Sequence, residues 1–362
     1  MKCSPLHQRH LEARAKMADF GGWLMPIDYP DTGTLVEHTA VRESVGIFDV
    51  SHLGKASVVG AGASEFLNRS FTNDLNRIGD GQAQYTLMCD HSGGVIDDLI
   101  VYRHSAENFF LVPNASNTNA VVETLVNSAP AGIEIVNLHE KFGVIALQGP
   151  HTVKVLQKLQ IDYSLDYMSF CNAHISGCEV ILCRTGYTGE FGVEILPTWN
   201  EAEKVWDAIV EAMQEFGGRI CGLGARDTLR TEMGYPLHGH ELSLSITPVQ
   251  ASANWAVGWK KGDFAGSEVL RNERERGASR VLRGLVCTDR GIPRAGMHVK
   301  NSKGEVVGEV TSGTFSPTLK IGIALALITP SINLGDNVEI DVRGRNCSAK
   351  VTSTPFVPSH VK

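Results

Sequence analysis

Apolar and polar positions alternate along this chain with two different periods, and the change from one to the other divides it. Residues 34–45 (T-L-V-E-H-T-A-V-R-E-S-V) place apolar side chains at helical spacing and stop at Gly46. The same spacing predicts helices over 64–71, 116–126 and 201–213, and another in V-K-V-L-Q-K-L behind the Gly149–Pro150 turn. Strand patterns lie between them: K-A-S-V-V (55–59), Q-Y-T-L-M-C (84–89) and F-G-V-I-A-L-Q-G-P (142–150). This order is α+β rather than a βαβ series, and no internal sequence repeat is visible. Past E-R-E-R-G-A-S-R (273–280) almost every segment alternates and is bounded by Gly, Pro, Asn or Asp. Short strands at such spacing predict a small closed β-domain over 278–362, following an α+β region over 1–277.

One strand breaks its own pattern. In S-G-G-V-I-D-D-L-I-V-Y-R (92–103) two carboxylates, Asp97 and Asp98, sit within an apolar run that pairs with 84–89 through a turn at Asp90–Gly94. Alternation puts Asp97 on one face with Val95, Leu99 and Val101, and Asp98 on the other with Ile96, Ile100 and Tyr102. Both faces are apolar, so the strand is expected to be covered on both sides. A buried carboxylate costs several kcal/mol unless it is paired or hydrogen-bonded. Periodicity does not choose which of the two, if either, does more than bond to backbone amides.

Composition narrows the classes without naming one. The 362 residues are 43% hydrophobic and 20% charged with a net charge of −7, which gives no basic surface for nucleic acid. Eight scattered cysteines form no C-x-x-C pair, so a reducing, cytoplasmic setting is expected rather than a zinc or redox site. The start of the chain lacks an apolar signal core, and no stretch reaches membrane-spanning length.

Of the short motifs, G-A-G-A (60–63) reads as a turn before a helix, and H-G-H-E (238–241) fits no familiar metal spacing. Three others are more specific. R-T-G-Y-T-G-E-F-G-V-E (184–194) offers glycines for tight backbone turns near a ligand, or else a glycine-rich hairpin with surface acids. C-G-L-G-A-R-D-T-L-R (221–230) sets Arg226 at a helix start, beside an Asp able to cap it. T-S-G-T-F-S-P-T-L (311–319) reads as a loop that turns a structural corner in the β-domain.

Taken in order with D-F-G-G-W-L-M-P (19–26), G-I-F-D-V-S-H-L-G (46–54) and G-G-V-I-D-D-L-I-V-Y, these stretches resemble the aminomethyltransferase (T-protein) family of the glycine cleavage system. The resemblance runs from about residue 5 to P-F-V-P at 355–358. It implies a three-domain cloverleaf around a central hole, with a C-terminal antiparallel β-barrel following two interleaved α+β domains. It also implies a reaction. A lipoylated H-protein, working with P- and L-proteins, presents an aminomethyl group on sulfur. Tetrahydrofolate, a co-substrate needing no metal, takes the carbon as 5,10-methylenetetrahydrofolate, with release of ammonia and the dihydrolipoyl arm.

By position, the resemblance makes Asp98 the catalytic carboxylate and leaves Asp97 structural. Glu194 falls where a carboxylate meets the donor edge of the pterin, and Tyr85 and Tyr187 where aromatic rings line the folate. Val112, Asn114, Tyr167, Arg226 and Trp255 occupy further folate-lining positions, with Arg226 open between the pterin and the glutamyl tail. The chain departs from the common pattern at Pro113, Phe191 and Lys320, changes expected at the pocket rim or the carrier-docking face. Alternatives on the same residues are a folate-dependent demethylase of a small molecule and a non-catalytic folate-binding module. A folate domain fused to a flavin oxidase is disfavoured because no flavin-binding half is present.

Overall fold

The computed structural model describes residues 1–362. The two aspartates lie on the middle strand of an antiparallel meander, Gln82–Cys89, Val95–Ser105 and Asn108–Val112. Ala56–Val59 and Glu134–Asn137 complete this five-stranded sheet. A six-stranded sheet follows the same plan: the meander Phe170–Ile175, Cys178–Cys183, Gly192–Pro197 is joined by Ile145–Gln148, Gly46–Asp49 and Arg219–Cys221. Each sheet is built in the chain order strand, helix, three-strand meander, helix, strand, with Gly46–Asp49 inserted into the second copy. The repeat is invisible in the sequence because only topology is shared: the middle meander strand begins V-I-D-D-L-I in one copy and reads C-E-V-I-L-C in the other.

The two sheets pack face to face. Tyr102 and Phe110 from one meet Phe48, Ala146 and Leu196 from the other in a buried cluster. Helices cover the outer faces: Ala63–Ser70 and Thr118–Ser128 on the first sheet, Thr152–Lys158 and Ala202–Met213 on the second. Burial on both sides explains the near-continuous apolar strands, each enclosed Leu, Ile, Val or Phe adding about 1.5–3 kcal/mol. The expected facing of the aspartate strand is half right. A bulge lets Met88 pair Asp97 and Cys89 pair Val95, which leaves Ile96 without a partner. The alternation therefore reverses at Ile96: Ile96 packs with Leu99 and Val101, while Val95 turns to another cluster with Leu87 and Cys89.

The C-terminal strands Val281–Cys287, Ile321–Ile328, Val306–Ser316, His298–Lys300, Asn337–Val342 and Arg345–Thr352 close into an antiparallel barrel, as expected. One expectation fails inside it. Residues 311–316 continue a strand instead of forming a loop, and the turn is confined to 317–320. The physical reason is that the turn-forming hydroxyls face inward. Ser312 accepts from Arg230 at 2.8 Å, and Ser316 donates to Glu232 at 2.5 Å. Both partners lie on the helix Leu223–Met233, which packs on the barrel and on the edge of the six-stranded sheet. No helix of the structure is long and apolar enough to cross a membrane.

Two of the sequence departures have local explanations. Pro113 lies just beyond the strand ending at Val112, so its missing N–H removes no ladder bond, and its carbonyl accepts from Gly54 N at 2.8 Å. Lys320 sits in the left-handed region at φ 58°, where any side chain is strained. Replacing Lys320 with Gly removes about 1–2 kcal/mol of strain and costs part of that in unfolded-chain entropy. The expected outcome is a net gain of about 0.5–1 kcal/mol, read as a higher denaturation midpoint.

Candidate active site

A cavity of about 440 Å³ opens where the two sheets, the helix Leu223–Met233 and the segment after it converge. Tyr85, Asp98, Val112, Asn114, Tyr167, Tyr187, Glu194, Arg226 and Trp255 all line it, so every site residue singled out in the sequence reaches one space. The meander of the first sheet delivers Tyr85, Asp98 and Val112, with Asn114 just past its end. The second sheet delivers Glu194, and the loop before it Tyr187.

Two aromatic shelves shape the space. Tyr85 stacks on Trp255 with centroids 5.0 Å apart, and Trp255 remains 63% exposed at the rim. Tyr187 stacks on Tyr235 at 5.6 Å, and the Arg226 guanidinium lies 4.5 Å from the Tyr187 ring. The Tyr187 hydroxyl donates to the Pro236 carbonyl, which fixes the ring edge. Such walls suit a flat heteroaromatic ligand. Arg226 has no carboxylate partner, and burial lowers its pKa. Its position in the first turn also corrects an expectation. Asp227 does not cap the helix but pairs with Arg230 at 2.7 Å, while the Glu37 carboxylate holds the Gly222 N–H at 2.9 Å.

Glu194 and Asp98 stand in contrasting surroundings. Glu194 Oε2 accepts from Thr185 Oγ1 at 2.5 Å, while Oε1 has no protein donor. Asp98 Oδ2 accepts from Tyr85 Oη at 3.0 Å, and Oδ1 from Asn114 Nδ2 at 2.9 Å. Asp97, fully enclosed, accepts from Asn114 N and Nδ2 at 2.9 Å each and from Asn117 Nδ2 at 2.7 Å. Burial first, then repulsion from Asp97, raises the Asp98 carboxyl well above the ordinary carboxylate range. Burial likewise raises Tyr85, with the Asp98 charge adding to it, so the phenol stays a donor.

The Arg184–Glu194 stretch is more enclosed than its composition suggested. Glu190 is buried and bonds to Arg42 Nη1 at 2.9 Å and His360 Nδ1 at 3.0 Å, so it is no surface acid. A side chain at Gly186 would collide with the Gln148 amide, so this glycine serves packing inside the second sheet. Phe191 supports the loop too, its ring centred 3.6 Å from the Arg184 guanidinium, instead of facing the cavity. Sequence reasoning passed over several wall residues, among them His52, Leu53, Thr185 and Tyr235. His52 and Thr185 stood inside motifs already noticed; Tyr235 carried no signal. His238 and His240 are engaged by the Val95 and Thr311 carbonyls, and Glu241 by Arg230.

Comparison with known proteins assigns the chain. The description "GCVT N-terminal domain" matches residues 6–261, and "Glycine cleavage T-protein C-terminal barrel domain" matches 280–358. The chain belongs to the glycine cleavage T-protein family. It is 57% identical to an aminomethyltransferase of Parafrankia sp. (strain EAN1pec), covering 99% of this chain and 98% of that one. It is 54% identical to an aminomethyltransferase of Mycobacterium tuberculosis (strain H37Rv), covering 98% and 96%. The crystal structure of glycine cleavage system aminomethyltransferase T from Bartonella henselae superposes with a TM-score of 0.93 at 32% identity over 99% of each chain. The chain is thus an aminomethyltransferase of the glycine cleavage system.

The raised Asp98 carboxyl predicts a pH-dependent cost to folding. Because the fold favours the protonated form, the cost is fully present above the folded-state pKa and disappears below the ordinary value of 3.8. Asp98→Asn is therefore expected to be more stable than the parent at pH 8, by on the order of 1–2 kcal/mol. That advantage should vanish as the pH falls towards 4, as measured by denaturation at each pH.

Proposed function

We propose that the cavity binds tetrahydrofolate between its two aromatic shelves and that Asp98 serves the transfer of the one-carbon unit. The observation that carries this reading is the pairing of Glu194 and Asp98, one carboxylate from each sheet, in a single aromatic-walled space. Glu194 keeps one oxygen unpaired, which suits the adjacent N–H donors of a pterin edge. Arg226 lies on the Tyr187 shelf near Glu194, so its donors go to the pterin head group rather than to the glutamyl tail. Val112, Asn114 and Tyr167 close the walls, and Trp255 covers the outer ring.

The donor is an aminomethyl group carried on sulfur by the lipoyl arm of an H-protein. As the methylene bridge forms, folate gives up two N–H protons; one ends on the arm's thiol and the other on ammonia. Positive charge develops at the transferred carbon, and a carboxylate held by Tyr85 and Asn114 stabilises it without reorganising. The same group accepts a folate proton, a role suited to a carboxyl whose proton affinity burial has raised. We assign this chemistry to residues 1–277, with 278–362 as the barrel that backs them. The P- and L-proteins are functionally linked to this step. The eight unpaired cysteines agree with a reducing cytoplasm.

The test is direct: aminomethylated H-protein and tetrahydrofolate should yield ammonia and 5,10-methylenetetrahydrofolate. Asp98→Asn should lower turnover about 10²–10³-fold with folate affinity little changed. Glu194→Ala should weaken tetrahydrofolate by ~2–4 kcal/mol in calorimetry, since buried donors lose their acceptor. Free aminomethyl-dihydrolipoate should react with a much lower kcat/KM than the carrier, having lost remote binding energy. Equal efficiency with the free compound would favour a small-molecule demethylase instead.

A further inference from the structure

The reaction assigned above uses one of two adjacent carboxylates, yet the fold ties both into one cluster. Asn114 reaches each of them: its Nδ2 lies 2.9 Å from Asp97 Oδ1, from Asp98 Oδ1 and from the Asp98 carbonyl. An amide nitrogen carries two hydrogens, so three acceptors compete for two donors. The remaining donors are divided unequally. Asp97 also accepts from the Asn114 backbone N–H at 2.9 Å and from Asn117 Nδ2 at 2.7 Å. Asp98 has only the Tyr85 hydroxyl besides, at 3.0 Å. Asp97 is wholly enclosed, whereas Asp98 lines the cavity. Neither carboxylate has a lysine or arginine partner, so two like charges side by side in this enclosure are strongly disfavoured.

We infer that Asp97 is a positioning residue for Asp98: it keeps the negative charge of the pair and thereby holds the last proton on Asp98, at the cavity wall. Asp97 has the donors to stabilise an anion, and Asp98 has the access to exchange a proton with substrate. Other groups facing Asp98 are few. Tyr85 on the neighbouring strand and Tyr187 on the opposite shelf both stay protonated, and His238 approaches from the segment after the helix Leu223–Met233. Repulsion from Asp97 is the largest influence on Asp98 after burial itself.

The inference rests on Asp98 being the working carboxylate, and its test separates the two. Turnover of aminomethylated H-protein is followed against pH for the parent, Asp97→Asn and Asn117→Ala. Activity needs ionised Asp98, so the acid limb of kcat/KM reports its proton affinity. Removing the neighbouring charge lets Asp98 ionise more easily, and Asp97→Asn should move the limb about 1–2 pH units lower. Asn117→Ala withdraws a donor that only Asp97 uses, so Asp97 takes up the proton more readily. The limb should then move the same way by a few tenths of a unit. A purely structural Asp97 would change the denaturation midpoint of either variant and leave the limb in place, and that result overturns the inference. Should Asp97→Asn fail to fold, Asn117→Ala decides alone. If Asp98→Asn keeps full turnover, it is the reading of Asp98 that has failed.

Discussion

The architecture hangs on the buried charges of one helix. Glu232, fully enclosed on the helix Leu223–Met233, accepts from Arg42 at 2.8 Å, from Ser316 at 2.5 Å and from Thr318 at 3.0 Å, with His38 at 3.3 Å. Glu232 thus joins His38 and Arg42, one turn apart on the helix Gly33–Glu43 that packs on the second sheet, to Ser316 and Thr318 of the barrel. Two residues earlier, Arg230 bonds to Asp227, Glu241 and Ser312, reaching the segment after the helix and the barrel again. Breaking a buried pair of this kind strands an uncompensated charge at a cost of about 3–5 kcal/mol. The same helix carries Arg226 into the cavity, so the position of that guanidinium depends on how firmly Glu232 and Arg230 are held.

Glu232 and Asp98 show what burial does with and without cations. Burial by itself would raise the Glu232 carboxyl, but the donors from His38, Ser316 and Arg42 outweigh it and hold the group at about 2. Asp98 has neutral donors, a like charge beside it and no cation, so burial wins and its carboxyl is raised. The first arrangement makes a fixed anion suited to holding elements together. The second makes a group that can gain and lose a proton at ordinary pH, which structural ties do not require and catalysis does.

The cavity lies between two copies of one topology, and the copies have diverged in what they offer. The first sheet supplies the aspartate pair, Tyr85 and the Asn114 turn; the second supplies Glu194 with Thr185 and the Tyr187 loop. Gly54 shows how closely the pieces meet, since any side chain there would collide with Thr118 at the start of the helix Thr118–Ser128. The motif at 46–54 is therefore pressed against the very turn that positions Asn114.

Periodicity and turn chemistry were enough to read the longer helices, the first hairpin and the barrel, though not the helix His7–Glu12, because each depends on residues near in sequence. The resemblance carried by the motifs, taken in order, pointed to nine residues that line the cavity but not to His52, Leu53, Thr185 or Tyr235 beside them. Other features needed the folded chain. The bulge at Ile96 arises from pairing with a particular partner strand, and it reversed the facing of Val95. The inward hydroxyls of 311–316 became strand because buried charges 80 residues or more away required donors and acceptors. The internal repeat left no trace in residue types, and Glu190 looked like a surface acid until Arg42 and His360 enclosed it. Local sequence determined which segments could be helix or strand and which residues could meet a ligand. Tertiary structure decided which charges are buried and beside what, because the electrostatic surroundings of a side chain are set by groups distant in sequence.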